Sequence, residues 1–313
     1  MLQATEKIWM NGKFVPWNEA KVHVLAHSLH YGTAVFEGIR CYKTDAGPAV
    51  FRLQEHVARL FDSAHICLME MPFTREAVSA AILETIRVNK IEACYIRPLA
   101  YIGAGAMGVF PQDNPIELAI GVWPWGVYLG DEALKNGIRV KISSFTRHHV
   151  NVTMVRAKTS ANYANSLLAK REALKDGYDE AVLLDAEGYV AEGSGENIFT
   201  VRNGLIKTPP LTSILEGITR DTVIQLARER GLRLVEERFT RDDLYIADEA
   251  FFTGTAAEIT PIREVDNRAI GSAQPGPVTK ELQSAFFDIV HGRDSRHEDW
   301  LTYVSAKQPV MKK

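Results

Sequence analysis

Cysteine is scarce in this chain: Cys41, Cys67 and Cys94 are the only three in 313 residues. Their odd number and wide spacing give no CxxC pair and no zinc-ligand pattern. That excludes a disulfide-stapled scaffold and leads us to expect free thiols in a reducing compartment. Long apolar runs are missing as well. No stretch approaches the roughly 18 consecutive apolar residues of a membrane helix. Residues 1–9 carry Glu6 and Lys7 where a signal peptide would need its apolar segment, so the expected location is the cytoplasm. Nor is there an excess of one charge. Thirty-six Lys and Arg against 39 Asp and Glu leave −3, too balanced for a protein that grips nucleic acid by its phosphates. There are no internal repeats and no low-complexity tracts.

What is present is ordinary for a soluble globular chain: 46% hydrophobic and 24% charged residues. At roughly 150 residues per domain the length suggests two domains, each with its own core. The pattern begins with a hairpin, Ile8–Met10 and Lys13–Val15 about Asn11-Gly12, a pair that tolerates the positive φ of a tight turn. Strands are expected near 38–42 and 49–52. Leu53, Val57, Leu60, Ala64 and Cys67 form one apolar stripe, predicting a helix over 53–66, and a second helix is expected over 75–88 with Thr74 as its cap. Strands over 93–102 and 116–123 follow. Residues 123–130 lose periodicity and read as the start of a linker. Beyond it come a strand over 138–145, a helix over 161–175 and a meander of strands at 180–185, 189–190 and 197–201. A second Asn-Gly hairpin at 203–204 leads into 205–206. A helix over 218–230, strands at 232–236 and 249–253 and a helix over 277–290 complete the pattern. The fold class is therefore α+β: a small N-terminal domain over 1–124, an interdomain loop over 125–137 and a larger domain over 138–313.

Three motifs invite chemistry that their surroundings deny. Gly103-Ala-Gly-Ala-Met-Gly108 spells GxGxxG, but two prolines and no helical stripe follow it, so no helix N-terminus is expected there to hold a pyrophosphate. His148-His149 would point to opposite faces of a strand and has no further ligand at metal spacing, so no metal is expected. Ser194, in Gly193-Ser-Gly195, lacks the GxSxG elbow.

Four other segments converge. Lys158 lies among small residues just before a helix, where partial desolvation would lower its amine pKa and suit it to imine chemistry. Glu192-Gly-Ser-Gly-Glu196 sets two carboxylates among glycines at a strand junction, where one could pair with a protonated ring nitrogen. Glu216-Gly-Ile-Thr-Arg220 opens a helix, a natural anion site. Thr253-Gly-Thr-Ala-Ala257 is a strand end whose small residues expose amides to a second anion. Arg59, on the polar side of the first long helix, could add a contact to a phosphate. A Schiff-base lysine, an acid for a ring nitrogen and two anion sites are what pyridoxal 5′-phosphate requires, although their spacing alone does not single it out.

With these segments in order, the chain resembles the branched-chain amino-acid aminotransferases of the fold-type IV pyridoxal-phosphate class, over nearly its whole length. The resemblance rests on His27-Ser-Leu-His-Tyr-Gly32, Val35-Phe-Glu-Gly-Ile-Arg40, Tyr95-Ile-Arg-Pro98, Ala157-Lys158 with Asn162-Tyr163, Glu192 to Asn197, Gly217-Ile-Thr-Arg220 and Gly254 to Pro261. It implies two mixed domains of the D-amino-acid-transferase-like architecture. It also implies that Lys158 forms the Schiff base and moves the proton, Glu192 meets the pyridine nitrogen and Tyr163 the ring oxygen. Arg59, the Ile218 and Thr219 amides and Thr255 would hold the phosphate, and the Ala256 and Ala257 amides, beside Thr255, the substrate carboxylate. Phe36, Tyr95, Trp125 and Tyr128 would wall the branched side chain, and Arg97 would receive the distal carboxylate of glutamate or 2-oxoglutarate. Tyr31 and Val109 would reach in from a neighbouring subunit, implying at least a homodimer, with a hexamer of dimers as the larger option.

The implied reaction moves an amino group from L-leucine, L-isoleucine or L-valine to 2-oxoglutarate by a ping-pong route. The alternatives are a D-amino-acid transaminase or an aminodeoxychorismate lyase on the same scaffold. Further from it lie a nicotinamide-dependent oxidoreductase using the glycine loop and a catalytically inactive binding protein. Glu216 stands where many members have proline, and a carboxylate there would repel a phosphate unless it turned to solvent.

Overall fold

The computed structural model describes residues 2–111, 113–126 and 130–305. It divides into two units, Met1–Trp125 with Phe287–Lys313, and Gly126–Phe286.

The first unit is an antiparallel sheet with helices. Its elements are β1 (Lys7–Met10), β2 (Lys13–Pro16), α1 (His27–Tyr31), β3 (Val35–Phe36), β4 (Ile39–Thr44), β5 (Gly47–Phe51), α2 (Leu53–Ile66), α3 (Arg75–Asn89), β6 (Cys94–Ile102) and β7 (Ile116–Trp123). The sheet runs Leu301–Tyr303, β5, β4, β6, β7, β1, β2, with β3 on β6. The expected hairpin is present: Met10 pairs with Lys13 across Asn11 and Gly12, whose φ angles are 48° and 88°. The stripe of α2 is buried at Leu53, Val57, Leu60 and Ala64 and packs with Ile39, Val78, Ile82, Ile96 and Leu118 in one core. Thr74 caps α3 by accepting from the Ala77 amide at 3.2 Å.

The second unit contains α4 (Asp131–Asn136), β8 (Ile138–Ile142), α5 (Asn162–Lys175), β9 (Glu180–Leu184), β10 (Val190–Gly193), β11 (Asn197–Arg202), β12 (Leu205–Thr208), α6 (Ile218–Glu229), β13 (Arg233–Glu236), α7 (Arg241–Tyr245), β14 (Glu249–Gly254), β15 (Glu258–Val265), β16 (Arg268–Ala269) and most of α8 (Pro277–Val290). Its sheet is ordered β10-β9-β8-β15-β14-β11-β12-β13, with β16 on β15 and β10 also paired to β11. Ile138, Val140, Val182, Ile198, Phe252 and Ile262 form its main core.

Four features differ from the sequence reading. The strand Leu301–Tyr303 pairs antiparallel with β5, so the chain from Phe287 onward belongs to the first unit and not to a domain over 138–313. α4 lies inside the expected interdomain loop, with Ala133 buried in the second core. β15 escaped notice because Pro261 sits within it; proline donates no ladder hydrogen bond and normally marks an edge, yet it pairs opposite Phe251 in the interior of the sheet. The strand expected over 138–145 ends at Ile142, leaving His148 and His149 in an irregular segment. Gly103–Gly108 opens no helix. All three cysteines are free. No helix among the described residues is long and apolar enough to cross a membrane.

Candidate active site

In the second unit, Lys158 is the last residue before the turn that enters α5, and it is half-buried. Its Nζ lies 2.5 Å from the hydroxyl of Tyr163, which stands in the first turn of that helix. The two residues meet because a turn precedes α5 and is tied down. Buried Asn162 donates through Nδ2 to the carbonyls of Met154 and Ala157, both at 3.3 Å, and so fixes the backbone on either side of the lysine.

Glu192 sits on β10 opposite Asn197 of β11. It is buried, and its Oε1 lies 2.6 Å from Nε of Arg147, itself buried. Its Oε2 accepts from Asn197 Nδ2 at 3.2 Å and from the Leu215 amide at 3.1 Å. Burial pushes the Glu192 carboxyl above the usual range, while Arg147, the Leu215 amide and the charge on Lys158 pull the other way.

The same asparagine joins this carboxylate to the start of α6. Asn197 Nδ2 also donates to the Leu215 carbonyl at 3.0 Å, and its Oδ1 would lie 1.9 Å from a Cβ placed on Gly217. Gly217 is the N-cap of α6 and offers it no side-chain cap, so the helix dipole points outward from a glycine. Ile218 and Thr219, the first helical residues, are buried. Thr255, Ala256 and Ala257 form the turn between β14 and β15, with Ala257 buried and the other two half-buried. Thr253 Oγ1, at the end of β14, is buried without a hydrogen-bond partner among the described residues. Glu216 turns to solvent: its side chain is 51% exposed and it pairs with Arg156. The repulsion that its place in the motif suggested is thereby relieved.

In the first unit, Arg59 is more deeply held than its place on the polar side of α2 suggested. It grips the fully buried Glu37 twice, Nε donating to Oε1 at 2.6 Å and Nη2 to Oε2 at 2.9 Å. His56 Nδ1 lies 2.8 Å from the same carboxylate. Burial alone would raise the Glu37 carboxyl, but the charges and hydrogen bonds of Arg59 and His56 win and hold it far below the usual carboxylate range.

A separate aromatic cluster lies in the same unit. Tyr95 meets Trp125 edge-on at 4.4 Å and Trp123 at 5.2 Å between ring centroids. The Arg97 guanidinium lies over Phe36 at 4.7 Å and Tyr95 at 5.3 Å, within cation–π reach. Its Nε is buried with no hydrogen-bond partner among the described residues. Tyr31, 41% exposed, stacks on His27, and Val109 is 89% exposed. Tyr128 lies outside the described residues.

Sequence reasoning gave no role to Arg147, Glu37, His56, Asn197 or Trp123. Glu37 and Asn197 fall inside quoted motifs, so a search for polar residues flanking the named ones could have reached them. Arg147 and His56 carry no local signal, because their meaning comes from partners dozens of residues away or across a helix turn. Among the described residues no group of three His, Cys, Asp or Glu is placed to hold a metal.

This chain is similar to known proteins along most of its length. The model of the amino-transferase class IV family matches residues 34–265. A branched-chain-amino-acid aminotransferase of Pseudomonas aeruginosa is 54% identical over 95% of this chain and 97% of its own. The crystal structure of the T.th. branched-chain amino acid aminotransferase with pyridoxamine 5′-phosphate superposes with a TM-score of 0.94 at 53% identity, covering 96% of this chain and 99% of that one. The same enzyme complexed with N-(5′-phosphopyridoxyl)-L-glutamate gives 0.93 at 52% identity, again over 96% and 99%. The α+β fold is that of the fold-type IV aminotransferases, and this chain belongs to the class IV aminotransferase family.

Proposed function

We propose that this chain transfers the amino group of L-leucine, L-isoleucine or L-valine to 2-oxoglutarate, with pyridoxal 5′-phosphate as coenzyme. The observation that carries the reading is the joined set in the second unit. A lysine amine lies 2.5 Å from a tyrosine hydroxyl, its charge reaches a buried glutamate, and that glutamate is bonded to the loop before an uncapped helix. The residues fit the coenzyme chemically: an amine for its aldehyde, a phenol for its ring oxygen, an acid for its ring nitrogen and a helix N-terminus for its phosphate. Bound there, the coenzyme supplies an aldehyde and a ring that accepts charge developing at the substrate Cα.

Each residue then has a task. Lys158 Nζ would carry the proton from the substrate Cα to the carbon of the coenzyme aldehyde, with the Tyr163 hydroxyl beside it to orient the amine. Glu192, pinned by Arg147, Asn197 and the Leu215 amide, holds negative charge toward the ring nitrogen. The Ile218 and Thr219 amides, Thr255 and Arg59 are assigned to the phosphate, and the Ala256 and Ala257 amides to the substrate carboxylate. Glu37 and His56 keep the Arg59 fork from rotating. Phe36, Tyr95 and Trp125 offer apolar area to a branched side chain. The Arg97 Nε, buried and without a partner among the described residues, suits the distal carboxylate of glutamate. The names of the relatives support branched-chain substrates, and the phosphopyridoxyl-glutamate complex supports glutamate as the other partner. We assign Tyr31 and Val109 to a second copy of the chain. Exposed Val24, Leu29, Val109 and Phe110 would be buried by such a copy, and the two segments that carry them are tied together by His27 Nε2, 2.7 Å from the Gly108 carbonyl. The free cysteines support a reducing, cytoplasmic setting.

The test is a half-reaction scan. The coenzyme-loaded protein is mixed with single amino acids and the visible absorption of the coenzyme is followed. L-Leucine, L-isoleucine, L-valine and L-glutamate should bleach it, D-alanine should not, and Lys158→Ala should bleach with none. Bleaching by D-alanine alone would replace this reading with a D-amino-acid transaminase.

A further inference from the structure

Behind Glu192 lies a second buried carboxylate that none of the steps above uses. Glu196 ends the bend that leads into β11 and is 5% exposed. Gly193 leaves it room, since a Cβ there would lie 2.7 Å from Glu196 Oε2, and Gly254 lies on its other flank, where a Cβ would be 3.6 Å from its Cγ. A third carboxylate, Glu180 at the start of β9, is fully buried and acts on Glu196 through its charge.

The cations near these three acids are unevenly shared. Glu192 has Arg147 at 2.6 Å and the charge of Lys158. Glu180 has Lys170 Nζ at 2.5 Å and its own neighbouring Ala181 amide at 2.8 Å. The Glu196 carboxylate has no ion pair among the described residues, and its one hydrogen bond there is from the Gly195 amide, at 3.0 Å. Its charged neighbours are Glu180 from β9, Glu192 from β10 and Lys170 from α5, the last already bonded to Glu180; Gly254 of β14 brings no charge. An ionised carboxylate in that position would be buried between two others without a cation of its own, which proteins avoid by retaining the proton.

We propose that Glu196 is a positioning residue of the coenzyme site: a buried carboxylic acid, uncharged at neutral pH, that leaves Glu192 as the anion presented to the ring nitrogen. This rests on the coenzyme reading given above. A second anion beside Glu192 would raise the affinity of Glu192 for a proton, and a protonated Glu192 no longer offers a carboxylate to the ring. Burial first and Glu180 next push the Glu196 carboxyl up to about 8, so its ionisation falls just above neutrality. The two acids play opposite parts because Glu192 has a guanidinium and Glu196 has only an amide.

Difference infrared spectroscopy reads the proton directly, on the full chain without coenzyme. Subtracting Glu196→Gln from the wild type at pH 7 should leave a carboxylic-acid carbonyl band. Glu180→Gln removes an anion and releases Lys170 to Glu196, so that variant should lose the same band with Glu196 still in place. In the coenzyme-loaded enzyme, wild-type kcat should fall about tenfold per pH unit above the ionisation of Glu196, a loss that Glu196→Gln removes. Coenzyme capture with no acid band at pH 7, or the same alkaline fall in both proteins, overturns the proposal alone. An acid band in a protein that never captures pyridoxal 5′-phosphate overturns the coenzyme reading and the role of Glu196 with it.

Discussion

Replacing Arg147 with glutamine should destabilise the protein in a pH-dependent way. Arg147 and Glu192 are 8% and 7% exposed at the side chain and lie 2.6 Å apart. Removing one member of a buried ion pair costs about 3–5 kcal/mol when the other charge must remain. Glu192 has an escape, because it can take up a proton. Burial already raises its carboxyl, and without Arg147, the largest opposing influence, it rises further. A carboxyl raised in the folded state contributes stability that is present below the ordinary glutamate range and is lost as pH climbs through the folded value. Relative to wild type, Arg147→Gln should therefore cost little near pH 4.5 and should approach about 3–5 kcal/mol by pH 8. Urea unfolding of both proteins across that range, followed by far-UV circular dichroism, measures the difference. A gap that stays constant with pH, or one below about 1 kcal/mol at pH 8, would show that the pair is not the buried contact described.

Three further outcomes are expected. Gly217→Ala drives a Cβ to within 1.9 Å of Asn197 Oδ1, so it should cost about 1–3 kcal/mol of stability and weaken pyridoxal 5′-phosphate binding, read by fluorescence titration; unchanged binding would separate Asn197 from the phosphate site. Arg97→Leu should raise the KM for 2-oxoglutarate by about 10–100-fold, equivalent to losing one charge-assisted contact, while half-reaction rates with leucine change little; equal losses for both substrates would refute a carboxylate-specific role. Glu37→Gln should remove stability at neutral pH and little at low pH. The wild-type carboxyl is held below its unfolded value, so its contribution is present above the ordinary carboxylate range and is lost on acidification. Thermal melts of the two proteins should converge as pH falls, and parallel curves would contradict the Arg59–His56 account.

Much of this molecule is legible in local pattern. The apolar stripe of α2, the Asn-Gly turns and the cap of α3 each follow from side-chain spacing and backbone sterics within a dozen residues. Lys158 and the glycine before α6 stood out the same way, because an unusual residue type at an element boundary is itself a local signal, whereas Tyr163 gained a role only through the family resemblance. β15 was hidden by the opposite circumstance: Pro261 argues against a central strand, and only pairing with Phe251 on one side and with the β8 region on the other overrides that preference. Arg59 read as a surface arginine because its partner Glu37 is 22 residues away in sequence.

The sequence by itself determined the α+β class and most of the helices and strands, since these depend on periodicity, turn chemistry and residue type; it singled out Lys158 as the candidate amine only through the resemblance of the segments around it to a known family. Tertiary structure alone decided what surrounds each buried carboxylate. Glu37, Glu192 and Glu196 are the same side chain, and what separates them is whether folding brings an arginine or only an amide within hydrogen-bond distance once water has been removed. It also decided that the last described strand returns to the first unit, because a three-residue strand carries too little pattern to show in the sequence where its partner lies.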